Sequence, residues 1–199
     1  MKKLITILLT LTLITTLFVG CSKKDKVKEE QGNLKDNAVT EVKEESKSED
    51  VEEDKVEEVD YVLYLKQKSI PFIFAEKYTI KADDPRLKDK GIEWIALEHL
   101  INFKGFQDFI SPIPEGTKLL GLNKENGIVY VDLSKEFIDN MPKDKQSTKL
   151  VIDSIVNTLT FFDGNESVMF KIEGQAVKKI NGVDLSKQFY FSSDFLPDK

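Results

Sequence analysis

Residues 22–58 decide where this chain can fold. They carry 14 Asp or Glu and 8 Lys, with no aromatic residue, no proline and one glycine. Such a segment cannot bury enough apolar surface to offset the entropy of ordering it, so a packed core has to form elsewhere. Val39, Val42, Val51 and Val56 are too sparse to mark the core-facing stripe of a helix. A short charged helix around 41–58 is weakened by like-charge pairs such as Glu41 and Glu45, four residues apart. The expectation is a solvated tether, spanning on the order of 35 Å as a coil.

Ahead of the tether, Lys2 and Lys3 precede an apolar run over residues 4–19 that is interrupted only by threonines. Sixteen residues fall short of the roughly 20 needed to span a bilayer. The run ends Leu17-Phe18-Val19-Gly20-Cys21, with a small residue before the only cysteine. This resembles a bacterial lipoprotein signal, in which the cysteine is acylated and becomes the first residue of the mature chain. Phe18 departs from the leucine usual at that position. The expected organisation is a signal peptide over 1–20, a lipidated Cys21 with an acidic tether over 21–58, and a folded domain over 59–199. Diacylglycerol and acyl (palmitate) groups on Cys21 would then anchor the chain to the outer face of the cell membrane.

Charge and composition exclude several classes. The chain has 29 Lys or Arg against 35 Asp or Glu, a net charge of −6. The tether alone accounts for −6, whereas residues 59–199 hold 19 basic and 21 acidic residues. Nucleic-acid binders cluster Lys and Arg, so no nucleic-acid partner is expected, and the nearly neutral domain should find its partner by shape and apolar contact. One Cys excludes an internal disulfide and a Cys-rich zinc site, and one His excludes a multi-histidine metal centre. No metal and no cofactor is expected.

Residues 59–199 hold 18 of the 19 aromatic residues. Residues 59–65 and 72–80 are β-branched and aromatic and read as paired strands. Asp83-Asp84-Pro85 reads as a turn. Residues 92–103 read as a helix largely surrounded by protein. The stretch 104–116, with Gly105, Pro112, Pro114 and Gly116, reads as a long loop. Residues 118–123 and 128–133 flank Asn126-Gly127, a dipeptide that tolerates positive φ and is the strongest short hairpin signal. Ser147 or Thr148 can cap a helix running to Phe162, which Asp163-Gly164-Asn165 ends. Residues 168–172 form a further strand, and 175–180 add an edge. The order β-β-α-β-β-α-β predicts an α+β fold, a mixed or antiparallel sheet with two helices on one face.

One heptapeptide recurs. Residues 131–137, Val-Asp-Leu-Ser-Lys-Glu-Phe, return at 183–189 with a single change, Glu136 to Gln188. Asp132 and Asp184 could pair as carboxylates around a cation, or each could satisfy backbone N–H groups in a turn as a strand ends. The turn reading is preferred, because calcium ligands usually crowd into one loop.

Four blocks in order then suggest a family. Ala96-Leu97-Glu98-His99-Leu100-Ile101 leads to Ile113-Pro114-Glu115-Gly116-Thr117-Lys118-Leu119-Leu120. Residues 126–137, from Asn126-Gly127 to Glu136-Phe137, follow, then Ile155-Val156-Asn157-Thr158-Leu159-Thr160 and the strand at 168–174. Together they resemble the sporulation and spore germination domain, GerMN. Lys104-Gly105-Phe106 departs from the Gly-Pro with which that family commonly closes its first helix. The resemblance implies a small α+β domain related to the ring-building motifs of envelope assemblies, on a surface lipoprotein linked to sporulation, germination or envelope maintenance. It transfers no catalytic residue. The best-known members carry the domain twice, and 59–199 has room for one copy.

The function expected is therefore a non-catalytic interaction module on the extracytoplasmic face of the membrane. Its partner would be an envelope or sporulation complex, a second copy, or cell-wall glycan. Phe106, Phe109 and Ile110, in an apolar loop flanked by turn residues, form the candidate interaction patch, unless Phe106 and Phe109 fold back into the core. Two alternatives stand beside this. A peptidoglycan hydrolase would have to rely on Glu93 with Glu98, or Asp132 with Asp184, since His99 lies mid-helix and no nucleophile elbow or His-Glu-x-x-His is present. A small-solute-binding lipoprotein would fit the anchor, but usually needs two lobes.

Overall fold

The computed structural model describes residues 57–198; the signal segment, Cys21 and the tether up to residue 56 lie outside the described residues. The fold opens with β1 (Glu58–Gln67) and β2 (Ile73–Lys81), antiparallel from Glu58 opposite Lys81 to Lys66 opposite Ile73. Period-two alternation sends Tyr61, Leu63 and Leu65 into the core. Glu58, read as the end of the tether, already belongs to β1.

Asp83-Asp84-Pro85, expected as a turn, instead launches α1 (Pro85–Lys90). The Asp84 carboxylate accepts the Arg86 N–H at 2.9 Å, and proline at the first helical position gives up no hydrogen bond the helix needs. Helix α2 (Ile92–Asn102) follows and buries Ile95, Ala96, Leu97 and Leu100. The stretch read as a long loop contains a two-residue strand, β3 (Phe109–Ile110), laid on β1 with Ile110 opposite Lys66.

The expected hairpin is β4 (Leu119–Glu125) and β5 (Ile128–Leu133), turning at Asn126 (φ 49°) and Gly127 (φ 78°). After the short α3 (Glu136–Asp139) comes α4 (Lys145–Leu159). Its cap is Asp144, whose side chain accepts the Ser147 N–H at 2.7 Å, and not Ser147 or Thr148. The Thr148 hydroxyl instead donates to the carbonyls of Pro142 and Asp144. The helix stops at Leu159, short of Phe162.

Strand β6 (Ser167–Ile172) returns parallel to β5, and β7 (Gln175–Ala176), β8 (Lys179–Ile180) and β9 (Val183–Asp184) are short. The α+β class with mixed and antiparallel pairing is as read from the sequence. Its strands divide into sheets of three (β2-β1-β3), four (β4-β5-β6-β7) and two (β8-β9).

Helices α2 and α4 touch each other and β1, while α2 also reaches β4 and α4 reaches β6 and β9. Apolar side chains from both larger sheets and both helices make one core, centred on Leu63, Leu97, Leu133, Ile155 and Phe170. Helix α4 also buries Asp153, Ser154, Asn157 and Thr158. Buried polar groups must be paired, and two of these side chains, Ser154 and Thr158, act as surrogate strand partners for β1. The Tyr64 N–H donates to Thr158 Oγ1 at 3.1 Å, and the Ser154 hydroxyl donates to the Tyr64 carbonyl. Helix α4 thus takes over the β1 edge where β3, only two residues long, does not reach.

Candidate interaction surface

The Phe106–Phe109 segment is a tight hairpin. The N–H of each phenylalanine donates to the other's carbonyl, at 3.1 and 3.0 Å. Gln107 takes a positive φ of 52°, a conformation that usually selects glycine or asparagine, so no turn dipeptide announced it. Lys68 clamps the hairpin: its N–H donates to the Asp108 carbonyl at 2.9 Å and its ammonium to the Gln107 carbonyl at 2.8 Å.

The three patch residues have different surroundings. Phe106 is 64% exposed at the hairpin tip. Phe109 is half-buried, its ring 5.7 Å from Phe74 on β2 and packed on the core. Ile110, also half-buried, helps line a cleft of about 370 Å³ with Pro71, Pro112, Pro142, Leu150 and Val151. Lys66, Gln146 and Ser147 add polar groups to the cleft. Of the two aromatic rings expected either at the surface or in the core, one went each way. Only Phe106 stands free.

The other candidate groups are held by local structure. The His99 Nδ1 is 2.9 Å from the Tyr61 hydroxyl, and its ring packs edge-on to Tyr78 and against Phe103. Burial lowers its pKa, and the Arg86 charge adds to this. The unfolded chain therefore binds a proton that the fold resists, and the resulting loss of stability grows as pH falls below the unfolded-chain value near 6.5. Urea unfolding at pH 7.5 and 5.0 should show a smaller acid-induced loss in His99→Phe than in the wild type. Equal losses would place the ring in water.

The repeated heptapeptide supplies core, and each of its aspartates accepts a backbone N–H. Val131, Leu133, Val183 and Leu185 are buried, and its two phenylalanines, Phe137 and Phe189, flank Phe170. Asp132 accepts the Gly174 N–H at 2.9 Å. Asp184 accepts the N–H and hydroxyl of Ser186, and these bonds hold its carboxyl below the usual carboxylate range. Glu93 faces Lys124 at 3.7 Å, and Glu98 faces Lys90 at 3.2 Å. Among the described residues, no group of three or more His, Cys, Asp or Glu is placed to hold a metal ion. Nor is any described helix long and apolar enough to cross a membrane.

The fold defines the class: a small α+β module of the GerM type. The structure of the tandem GerMN domains of the sporulation protein GerM from Bacillus subtilis matches with a TM-score of 0.53 at 22% identity. That match covers 67% of this chain and 46% of the tandem structure. The first GerMN domain of the same protein alone matches at 22% identity and TM-score 0.51, over 66% of this chain and 97% of that domain. No curated protein matches. The model of the Germane family, described as sporulation and spore germination, matches residues 62–178, and the chain belongs to that family.

Proposed function

We propose that the chain is a lipid-anchored envelope protein whose Germane domain is a non-catalytic interaction module in assemblies serving sporulation, spore germination or envelope maintenance. In this reading residues 1–20 are removed as a signal peptide, Cys21 carries the lipid on the extracytoplasmic face, and the acidic segment from residue 22 to the start of β1 supplies reach. The family's description and the likeness to GerM, a sporulation protein, support the process. Glu93, Glu98, Asp132 and Asp184 each have a lysine or a backbone N–H as partner, which supports binding over hydrolysis. The observation that carries the contact itself is Phe106, a large ring 64% exposed on a clamped hairpin beside an apolar cleft. Aromatic residues, phenylalanine among them, are enriched at protein–protein interfaces.

Two measurements on the full-length protein in cells test the two halves. Cys21→Ala should abolish labelling with an alkynyl fatty acid and release the protein from membranes; retained labelling would place the lipid elsewhere. A photo-crosslinking residue at Phe106 should capture a discrete species at least several-fold more efficiently than one at Lys88 on α1. Equal yields would remove the hairpin as the contact.

A further inference from the structure

The family match ends at residue 178, yet the chain continues as an ordered strap over residues 189–196. The strap starts on the edge of β6, where Phe189 and Val168 exchange N–H···O bonds of 2.8 and 2.9 Å. It then runs along α4. There the buried Asn157 amide engages both backbone groups of one residue, donating to the Ser192 carbonyl at 2.8 Å and accepting the Ser192 N–H at 2.9 Å. Lys149, on the same helical stripe, pairs with Asp194 at 3.0 Å. Phe195 is 6% exposed in a small separate cluster with Ile73 and Leu150, and its carbonyl accepts the Ile73 N–H of β2 at 2.9 Å.

This is the chemistry of peptide recognition: an amide that registers an extended backbone, a cation that selects an acidic residue two positions on, and a pocket for the aromatic that follows. The main holding contacts of residues 192–196 run to α4 and β2 and are made by the strap's own backbone at Ser192 and Phe195 and by the side chains of Asp194 and Phe195. Tyr190 and Phe191, which lead into it, are 61% and 51% exposed. We infer that the groove formed by Asn157, Lys149, Leu150 and Ile73 is a docking site for the Ser192-Ser193-Asp194-Phe195 strap, and that it accepts the strap of a second copy of this chain as well as its own. The tail in cis wins in dilute solution, because its effective concentration is on the order of millimolar; crowding of copies shifts occupancy toward exchange, the route of domain swapping. This inference requires neither the lipid anchor nor a contact at Phe106.

Complementation between two full-length variants tests it. Asn157→Ala damages the groove and leaves a competent strap, whereas Asp194→Ala with Phe195→Ala damages the strap and leaves a competent groove. By light scattering at about 100 µM, each variant alone should be monomeric and an equimolar mixture should approach the mass of two chains. A mixture that stays monomeric while both variants keep the wild-type circular dichroism would overturn the proposal, as would equal dimerisation of either variant alone. If a variant fails to fold, hydrogen exchange on the wild-type chain decides. The Ile73 and Ser192 amides, both bonded across the strap contact, should exchange at least 100-fold faster than that of Ile155. Exchange at one common rate would make the strap a fixed part of the core and end the idea.

Discussion

Phe170→Ala is expected to lower the unfolding free energy by about 3–5 kcal/mol, among the largest effects available to a single truncation in this domain. Phe170 sits on β6, is 2% exposed, and is held between two other rings. Phe137 stacks on it at 6.2 Å with an interplanar angle of 7°, and Phe189 meets it edge-on at 5.6 Å and 79°. Truncation removes the transfer free energy of a phenyl group and leaves a void that α3, β6 and the start of the strap would all have to collapse to fill. Each ring pair contributes about 0.5–1.5 kcal/mol beyond burial. Phe189→Ala should therefore cost less than Phe170→Ala, and the two losses should not add. Urea unfolding with an unchanged m-value is the measurement. A loss under about 1 kcal/mol would mean that the three rings do not pack as described.

That ring stack also shows what the sequence could and could not disclose. The heptapeptide repeat was visible as an identity between two segments, and its local Asp-Leu-Ser turn forms in the second copy only: Asp184 accepts the Ser186 N–H, whereas Asp132 lies in β5 and accepts that of Gly174. The meeting of its two phenylalanines at a third was not visible, because contact between residues 137, 170 and 189 is set by tertiary packing. Local signals worked where the physics is local. Asn126-Gly127 turned the chain as its tolerance of positive φ requires, and the alternation of β1 placed Tyr61, Leu63 and Leu65 inside. Two turns of the same kind, Glu173-Gly174 and Asn181-Gly182, have matching positive φ values; the second joins β8 to β9 where only an edge was expected. Asp84-Pro85 was read as a turn although a capping acid followed by proline equally starts a helix. The Gln107 hairpin puts its positive φ on a glutamine in place of the glycine or asparagine that announces such turns, and the strap over α4 links residues 35 positions apart through side-chain amide bonds that leave no periodic trace.

Lys149→Ala should cost about 3 kcal/mol or more, and for a reason its partial exposure conceals. The ammonium lies 2.6 Å from Asp153, whose side chain is only 3% exposed, and 3.0 Å from Asp194, which is well exposed. The Asp194 pair, taken alone, would contribute at most about 1 kcal/mol. Asp153 is different, because removing its cation strands a carboxylate inside the protein, and breaking a buried pair on one side typically costs 3–5 kcal/mol. The same truncation takes away the cation 5.4 Å above the Phe195 ring and loosens the strap. Replacing both partners, Lys149→Met with Asp153→Leu, strands no charge and should recover more than half of the loss. Chemical denaturation of the three chains separates these terms. A single-variant loss of no more than about 1 kcal/mol would show that Asp153 finds water once Lys149 is gone and that the strap does not depend on the pair.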